Sequence, residues 1–238
     1  MTDGGSEPTP QFLSAAAAAG LEFDAGDLAR LGRFLTLLLE TNQQFNLTAV
    51  TDPREAWMRH ILDSLTLIPH LAELPPGSRI IDVGSGGGLP GIPLAITMPA
   101  LSFTLLEATG KKATFLRDAA AALGLANVTV VNGRAETSGH NTDHRDTYDA
   151  AVARAVGPMR VIAELTVPFV RAGGRVLLIK GQKADEELTE AKAALHKLHA
   201  VHAGTVDSPT GRIVVLDKPR KTPSGYPRRA GEPKQRPL

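Results

Sequence analysis

The sequence predicts an α/β fold: a mostly parallel, seven-stranded sheet with helices on both faces, an antiparallel hairpin at its C-terminal end, and an N-terminal helical extension. Three observations predict it. From residue 79 onward, short apolar runs alternate with helical segments of 10 to 15 residues, the pattern of βαβ units. The last two runs, Val201 to Val206 and Arg212 to Leu216, are joined by Ser208-Pro209-Thr210-Gly211 with no helix between. Before residue 75, apolar side chains instead recur at helical spacing.

The elements follow in order. At 238 residues and 42% hydrophobic composition, the chain suits one large domain with an appendage. Residues 1–10 are acidic and spotted with Gly and Pro, and are expected to be disordered. Gln11 to Ala19 forms a short helix stopped by Gly20. Asp24 caps a stronger helix with Asp27 in its first turn and Leu28, Leu31, Leu35, Leu38 and Leu39 on one face. Asp52-Pro53 opens the next helix, with Trp57, Ile61, Leu62, Leu65 and Ile68 as its apolar face. Residues 11–74 thus form the helical extension. Pro75-Pro76-Gly77 marks the change to the α/β domain, residues 75–217. Its strands are expected at 79–83, 102–107, 127–131, 149–153, 175–180, 201–206 and 212–216, with helices at 111–123, 158–170 and 185–198.

Charge and composition exclude several function classes. The chain has no cysteine, which removes disulfides, thiolate metal sites and cysteine nucleophiles together. No apolar run approaches the roughly 18 residues of a membrane span, and the acidic N-terminus is unlike a signal peptide, so a cytoplasmic protein is expected. Residues 218–238 carry seven Lys or Arg, one acid and five prolines; this reads as a disordered basic arm, either phosphate-attracting or merely solubilising. His140 and His144 sit in a polar loop with Asp143 and Asp146, while His196, His199 and His202 lack a carboxylate at ligand spacing, and no metal site is expected at either place.

The chemistry centres on Arg79-Ile80-Ile81-Asp82-Val83 running into Gly84-Ser85-Gly86-Gly87-Gly88. Glycines after a strand let a ligand approach the backbone. A P-loop is excluded, because no lysine follows until Lys111. A dinucleotide pattern beginning at Gly84 fails at Leu89, but the register Gly86, Gly88, Gly91 fits, so the pattern alone leaves NAD open. The acid-led spacing Asp82-x-Gly84-x-Gly86-x-Gly88 resembles the first motif of class I methyltransferases, which have a Rossmann-like fold and bind S-adenosylmethionine. Glu107, ending the next strand, is placed to accept ribose hydroxyls in either case. The terminal hairpin favours the methyltransferase resemblance.

Absences narrow the acceptor. Cytosine C5 methylation needs a cysteine nucleophile. Exocyclic amine methylation uses an Asn/Asp-Pro-Pro-aromatic clamp, where this chain reads Ala153-Arg154-Ala155-Val156. A ring nitrogen with a free lone pair needs only positioning, with no general base. With ten aromatic residues, an open stacking platform is not expected either.

Longer motifs are specific. Asp82 through Leu94 (DVGSGGGLPGIPL), Phe45-Asn46-Leu47-Thr48, Arg59-His60-Ile61-Leu62-Asp63-Ser64, Arg134-Ala135-Glu136, Ala153-Arg154-Ala155 and Leu178-Ile179-Lys180-Gly181 occur in order. Together they resemble the ribosomal small subunit methyltransferase G family. The resemblance implies methyl transfer from S-adenosylmethionine to nitrogen 7 of a guanine in the 530 loop of 16S rRNA; naked RNA and the 30S subunit both stay open as the substrate, and a monomer is expected. It places cofactor contacts on Gly84, Gly86, Gly88, Leu89, Glu107, Ala108, Thr109, Ala135, Glu136 and Arg154, with Arg154 also positioning the reactants. RNA contacts are expected from Asn46, Arg59, His60, Arg134, Lys180 and Arg212. His60 has a second reading, a local pair with Asp63 one turn later. Lys180 could instead serve ribose O-methylation, but that chemistry wants an Asp near Arg154. The family's Asn-Lys-x-x-Asn motif has Gln43 in place of lysine, a lost phosphate contact that the basic arm is expected to offset.

Overall fold

The computed structural model describes residues 6–154 and 157–238. Residues 1–5 of the expected disordered start, and Ala155 and Val156, lie outside the described residues. The sheet contains β1 (Arg79–Val83), β2 (Ser102–Glu107), β3 (Val128–Asn132), β4 (Tyr148–Arg154), β5 (Val170–Lys180), β6 (Val201–Ser208) and β7 (Gly211–Asp217) in the order β3-β2-β1-β4-β5-β7-β6. β7 alone is antiparallel, inserted between β5 and β6, so β6 forms the edge.

Helices surround the sheet: α1 (Pro10–Ala18), α2 (Asp27–Asn42), α3 (Pro53–Ala56), α4 (Asp63–Leu65), α5 (Ile68–Leu71), α6 (Gly91–Thr97), α7 (Gly110–Ala122), α8 (Ala135–Ser138), α9 (Met159–Thr166), α10 (Ala184–Leu198) and α11 (Glu232–Gln235). The alternating strand side chains divide between two cores. Ile80, Phe103, Leu105, Val152 and Leu177 face Leu94 and Leu116, and the same core takes in Phe12, Leu31, Phe34 and Trp57. Ile81, Val83, Ala151, Val176 and Leu178 face Met159, Ile162 and Leu195. Each buried Val, Leu, Ile, Phe or Met side chain among them contributes about 1.5–3 kcal/mol. The N-terminal helices therefore share the core of the sheet rather than forming a separate appendage.

Register positions the site. The strand order reverses between β1 and β4, the switch point where open α/β sheets bind ligands. Val83 pairs with Leu106, and Asp82 pairs with Val152. One residue beyond Val83 and Leu106, and two beyond Val152, Gly84, Glu107 and Arg154 leave three neighbouring strands at one level.

Four local expectations need correction. Asp24 does not cap α2: the cap is Gly26, at φ +91°, and Asp27 reaches back to accept from Asp24 N at 3.0 Å. Between α3 and α4, Trp57–Leu62 is a π-helical turn, an insertion that a 3.6-residue apolar pattern does not reveal. Ser6 is not loose: its N–H donates to Gly32 O and to Thr36 Oγ1, both at 3.1 Å, because Gly32 has no side chain to hold the strands of backbone apart.

The fourth correction concerns residues 218–238, which dock instead of forming a free arm. Lys218 is buried and donates from Nζ to Asp146 Oδ1 (2.5 Å) and Val167 O (3.0 Å). Burial lowers its pKa, and Asp146 opposes that shift. Arg145 donates to the carbonyls of Thr222, Pro223 and Tyr226. Arg228 forms a forked pair with Glu164, a carboxylate with no solvent exposure, through Nε (2.9 Å) and Nη2 (2.7 Å), while its backbone N–H donates to the same group (2.8 Å). Composition reads this segment as disordered because the partners of its cations stand 64 and 72 residues upstream. No helix among the described residues is long and apolar enough to cross a membrane.

Candidate functional site

Two cavities flank the end of β1. One, of about 270 Å3, has the Gly84–Gly87 loop as its floor, with Leu47, Glu107, Lys112 and Arg154 around it. A neighbouring space of about 140 Å3 shares Gly84 and Glu107 and is walled by Leu106, Ala108, Arg134, Ala135, Glu136 and Leu165. Gly84 holds φ +75°, a conformation that strains any residue with a Cβ.

The loop is fixed by two carboxylates. Glu107, 7% exposed, accepts from Gly86 N (2.9 Å) and Thr109 N (2.7 Å). Asp82 is fully buried, and its Oδ2 accepts from Gly91 N at 3.0 Å. Burial pushes the Asp82 carboxyl up to about 7. A methyl group on Gly91 would stand 2.7 Å from Asp82 Oδ2 and would collide with Leu105, which explains the glycine in Leu-Pro-Gly-Ile-Pro. Leu47 covers the loop because Asn42, the last residue of α2, accepts from Leu47 N (2.7 Å) and Thr48 N (2.9 Å).

A third cavity, about 360 Å3, opens on the other side of Arg154, among Thr48, Arg59, His60, Asp63, Lys180 and Thr210. The Arg154 guanidinium donates to Asp63 Oδ2 (3.1 Å), Arg59 O (2.6 Å) and His60 Nδ1 (3.3 Å). Thr210, in the β6–β7 turn, donates to the other Asp63 oxygen. His60 is buried, and burial together with the Arg154 charge lowers its pKa to about 4, so it is neutral near pH 7. An arginine can only donate, so His60 Nδ1 accepts and Nε2 carries the proton. That proton goes to Thr48 Oγ1, 2.7 Å away, which also accepts from Val50 N at 3.0 Å.

The sequence-predicted residues divide accordingly. Gly84, Gly86, Leu89, Glu107, Ala108, Ala135, Glu136 and Arg154 line the two loop-side cavities; Gly88 lies beneath them against Ile92 and Leu116, and Thr109 lends its N–H to Glu107. The Glu136 carboxylate is held by Gly231 N at 2.8 Å, so the docked C-terminal segment braces this wall. His60 does not pair with Asp63; Arg154 stands between them. Arg134 and Asn46 are exposed, and Arg59 is exposed with its guanidinium on Glu55 (3.0 Å). Lys180 and Arg212 are not free phosphate ligands. Lys180 Nζ is 2.7 Å from both Glu187 Oε2 and Gly157 O, and Arg212 lies between Asp185 (2.9 Å) and Asp207 (3.0 Å). The helix α10 and the edge strand β6 that supply those acids are invisible to a count of strand-end cations.

Sequence reasoning missed Thr48 and Thr210 as site residues. Thr48 stood inside the quoted Phe-Asn-Leu-Thr motif, which gave a signal without a role. Thr210 meets Asp63 across 147 residues, and no local pattern foretells that. Among the described residues, no group of three or more His, Asp or Glu is arranged to hold a metal ion.

Comparison with known proteins agrees with this geometry. The family profile described as "GidB: rRNA small subunit methyltransferase G" matches residues 27–212. The chain is 51% identical over 222 residues to "Ribosomal RNA small subunit methyltransferase G" of Sorangium cellulosum (strain So ce56), covering 93% of this chain and 92% of that protein. It is 41% identical to the protein of the same name from Leuconostoc citreum (strain KM20), with coverage of 95% and 98%. A solved structure titled as a SAM-dependent methyltransferase from Aquifex aeolicus superposes with TM-score 0.52 at 14% identity, over 66% of this chain and 89% of that one, a likeness of fold. With the profile spanning most of the chain and close relatives spanning nearly all of it, the chain belongs to the rRNA small subunit methyltransferase G family.

Proposed function

We propose that this protein is a cytoplasmic enzyme that methylates nitrogen 7 of a guanine in the 530 loop of 16S rRNA, using S-adenosylmethionine. The observation that carries the reading is Arg154 standing in the wall of two cavities at once, the glycine-loop cavity and the cavity under Thr48 and Thr210. Cofactor and acceptor base then meet across one side chain.

The residues present fit the cofactor. The two spaces that share Gly84 and Glu107 suit a molecule with a charged amino-acid end and a nucleoside end. The Gly84–Gly87 backbone would hold the methionine portion. Glu107, at the junction, has acceptor capacity left for ribose hydroxyls. Leu106, Leu165, Ala135 and Glu136 would hold the base end. When bound, the cofactor supplies an electrophilic methyl: the lone pair of nitrogen 7 bonds to its carbon as the carbon–sulfur bond breaks, and the positive charge passes from sulfur to the base.

The acceptor cavity suits that reaction because it holds no free base. His60 is neutral and its Nδ1 is occupied by Arg154. Asp63 is held on both oxygens, by Arg154 and Thr210. A ring nitrogen has no proton to remove, whereas a ribose hydroxyl does. Lys180, the base candidate for ribose chemistry, is bound to Glu187 and to a backbone carbonyl. The Asp63 charge also offsets Arg154, so the cavity does not oppose a cationic product. Catalysis is therefore in-line positioning and exclusion of water.

The test is nucleoside mass spectrometry of small-subunit RNA, naked and as 30S particles, lacking this methylation and incubated with protein and S-adenosylmethionine. New 7-methylguanosine mapped to the 530 loop is expected. A methylated ribose, or no methylation on either substrate, overturns the reading.

A further inference from the structure

Thr48 is placed like a reader of the acceptor. Its hydroxyl oxygen has two lone pairs, and both are occupied: one by the N–H of Val50 at 3.0 Å, the other by the Nε2 proton of His60 at 2.7 Å. The His60 proton is on Nε2 because Arg154, which cannot accept, takes Nδ1. Arg154 is itself fixed by Asp63 and by the carbonyl of Arg59, and Asn42 pins the backbone of Thr48 at 2.9 Å. The hydroxyl thus has one capacity left, to donate, and the space beside it is the 360 Å3 acceptor cavity. A serine or threonine in solution turns its hydroxyl to suit either kind of partner; this one is committed.

We propose that Thr48 is the specificity-determining residue for the target base, donating a hydrogen bond to the carbonyl oxygen at position 6 of guanine, with His60 and Arg154 as the positioning residues that fix its polarity. This rests on the guanine reading of the acceptor cavity and extends it to how the base is chosen. The oxygen at position 6 neighbours nitrogen 7 on the same edge of the purine, so one contact orients the reacting atom as well. Adenine, or any purine with an amino group at position 6, turns a donor toward a donor. A buried mismatch of that kind discriminates strongly, because neither group finds another partner.

The test uses the full-length protein and 30S particles assembled from ligated 16S rRNA that carries either guanosine or 2,6-diaminopurine riboside at the target position. The analogue keeps nitrogen 7 and the 2-amino group and replaces the oxygen with an amino group. The wild type is expected to favour guanosine by about tenfold to a hundredfold in kcat/KM. Thr48→Val should bring that ratio to within about threefold of one, and Thr48→Ser should restore it. Valine also leaves the Val50 and His60 protons unpaired, so its absolute rate falls on structural grounds alone. The ratio between the two bases is what a purely structural role would not move. Cofactor affinity by isothermal titration should be unchanged in Thr48→Ser. A wild type that methylates both bases equally overturns the inference, even if Thr48→Val does not fold, and so does a folded Thr48→Val that keeps the wild-type ratio. A wild type that makes no 7-methylguanosine on unmodified 16S rRNA, neither naked nor in 30S particles, instead overturns the acceptor reading, and the role of Thr48 falls with it.

Discussion

Replacing Arg228 with alanine tests whether the C-terminal segment is a structural strap. Glu164 has no solvent exposure, and Arg228 supplies its cation together with two short side-chain hydrogen bonds. Removing one partner of a buried pair costs about 3–5 kcal/mol, because the remaining charge stays desolvated. The Arg228 side chain is 19% exposed, and the backbone N–H of residue 228 still reaches Glu164, so the cost is discounted to the bottom of that range and below, about 2–3 kcal/mol. For a chain of this size that corresponds to a fall in Tm of about 4–12 °C. With an m-value of about 3 kcal/mol/M, the urea midpoint drops by about 0.7–1 M. Urea unfolding followed by Trp57 fluorescence at pH 7.5 gives the midpoint, and limited proteolysis should show faster cleavage within 219–238. Arg236→Ala, at an exposed position, is the control and should stay within about 0.5 kcal/mol. If Arg228→Ala moves the midpoint by less than 0.2 M (about 0.6 kcal/mol at that m-value), Glu164 is not a buried, partner-dependent charge and the docking argument is wrong.

Two further outcomes follow from the loop and from His60. Gly84→Asp should abolish measurable S-adenosylmethionine binding in an isothermal titration. It forces φ +75° on a residue with a Cβ and points a carboxylate into the space beside Glu107; retained affinity would move the cofactor site elsewhere. The native His60 ring resists protonation down to about pH 4, whereas the unfolded ring protonates near 6.5. Its contribution is fully present above pH 6.5 and is lost as pH falls toward 4, at up to about 1.4 kcal/mol per unit. Asp82, raised from 3.8 to about 7, titrates over the same window with the opposite sign, so wild-type stability alone is uninformative. The difference between wild type and His60→Gln removes the Asp82 contribution. It should shrink by about 2 kcal/mol between pH 7 and pH 5, and a constant difference would mean that the native ring titrates like the unfolded one and that burial does not hold it neutral.

What the sequence made legible was whatever is local or periodic. The strands alternate with helices at a spacing that dictates a parallel sheet, and Asp82-x-Gly84-x-Gly86-x-Gly88 at the end of a strand dictates a bend that only glycine tolerates. Glu107 was legible too, because a strand paired in register with β1 must deliver its last residue beside Gly84. What stayed hidden depends on pairing between distant segments. Lys180 and Arg212 looked like free cations because Glu187 and Asp185 come from α10, whose packing against the sheet is not written in either residue's neighbourhood. The C-terminal segment looked disordered because seven cations and five prolines were weighed without Glu164 and Asp146. The π-helical turn at Trp57–Leu62 was hidden for another reason: its apolar residues still fall on one face, so the pattern cannot show the extra residue.

That turn explains why the N-terminal helices belong to the acceptor site and are not an accessory to it. Arg154 ends β4 at the level of Gly84, so the sheet alone would present a bare guanidinium beside the cofactor. Its three stated acceptors, the Arg59 carbonyl, His60 Nδ1 and Asp63 Oδ2, all come from the π-helical turn and the first residue of α4. The β6–β7 hairpin then closes the other side of Asp63 through Thr210. On the proposed function, the cofactor half of the site is built from the ends of β1 and β2, and the acceptor half from a helical turn and a hairpin tip that converge on one arginine. Substitutions in the first half should therefore act on cofactor affinity. Those at Asp63, His60 or Thr210 should act on kcat with rRNA while cofactor affinity changes little, since each reaches the glycine loop only through Arg154.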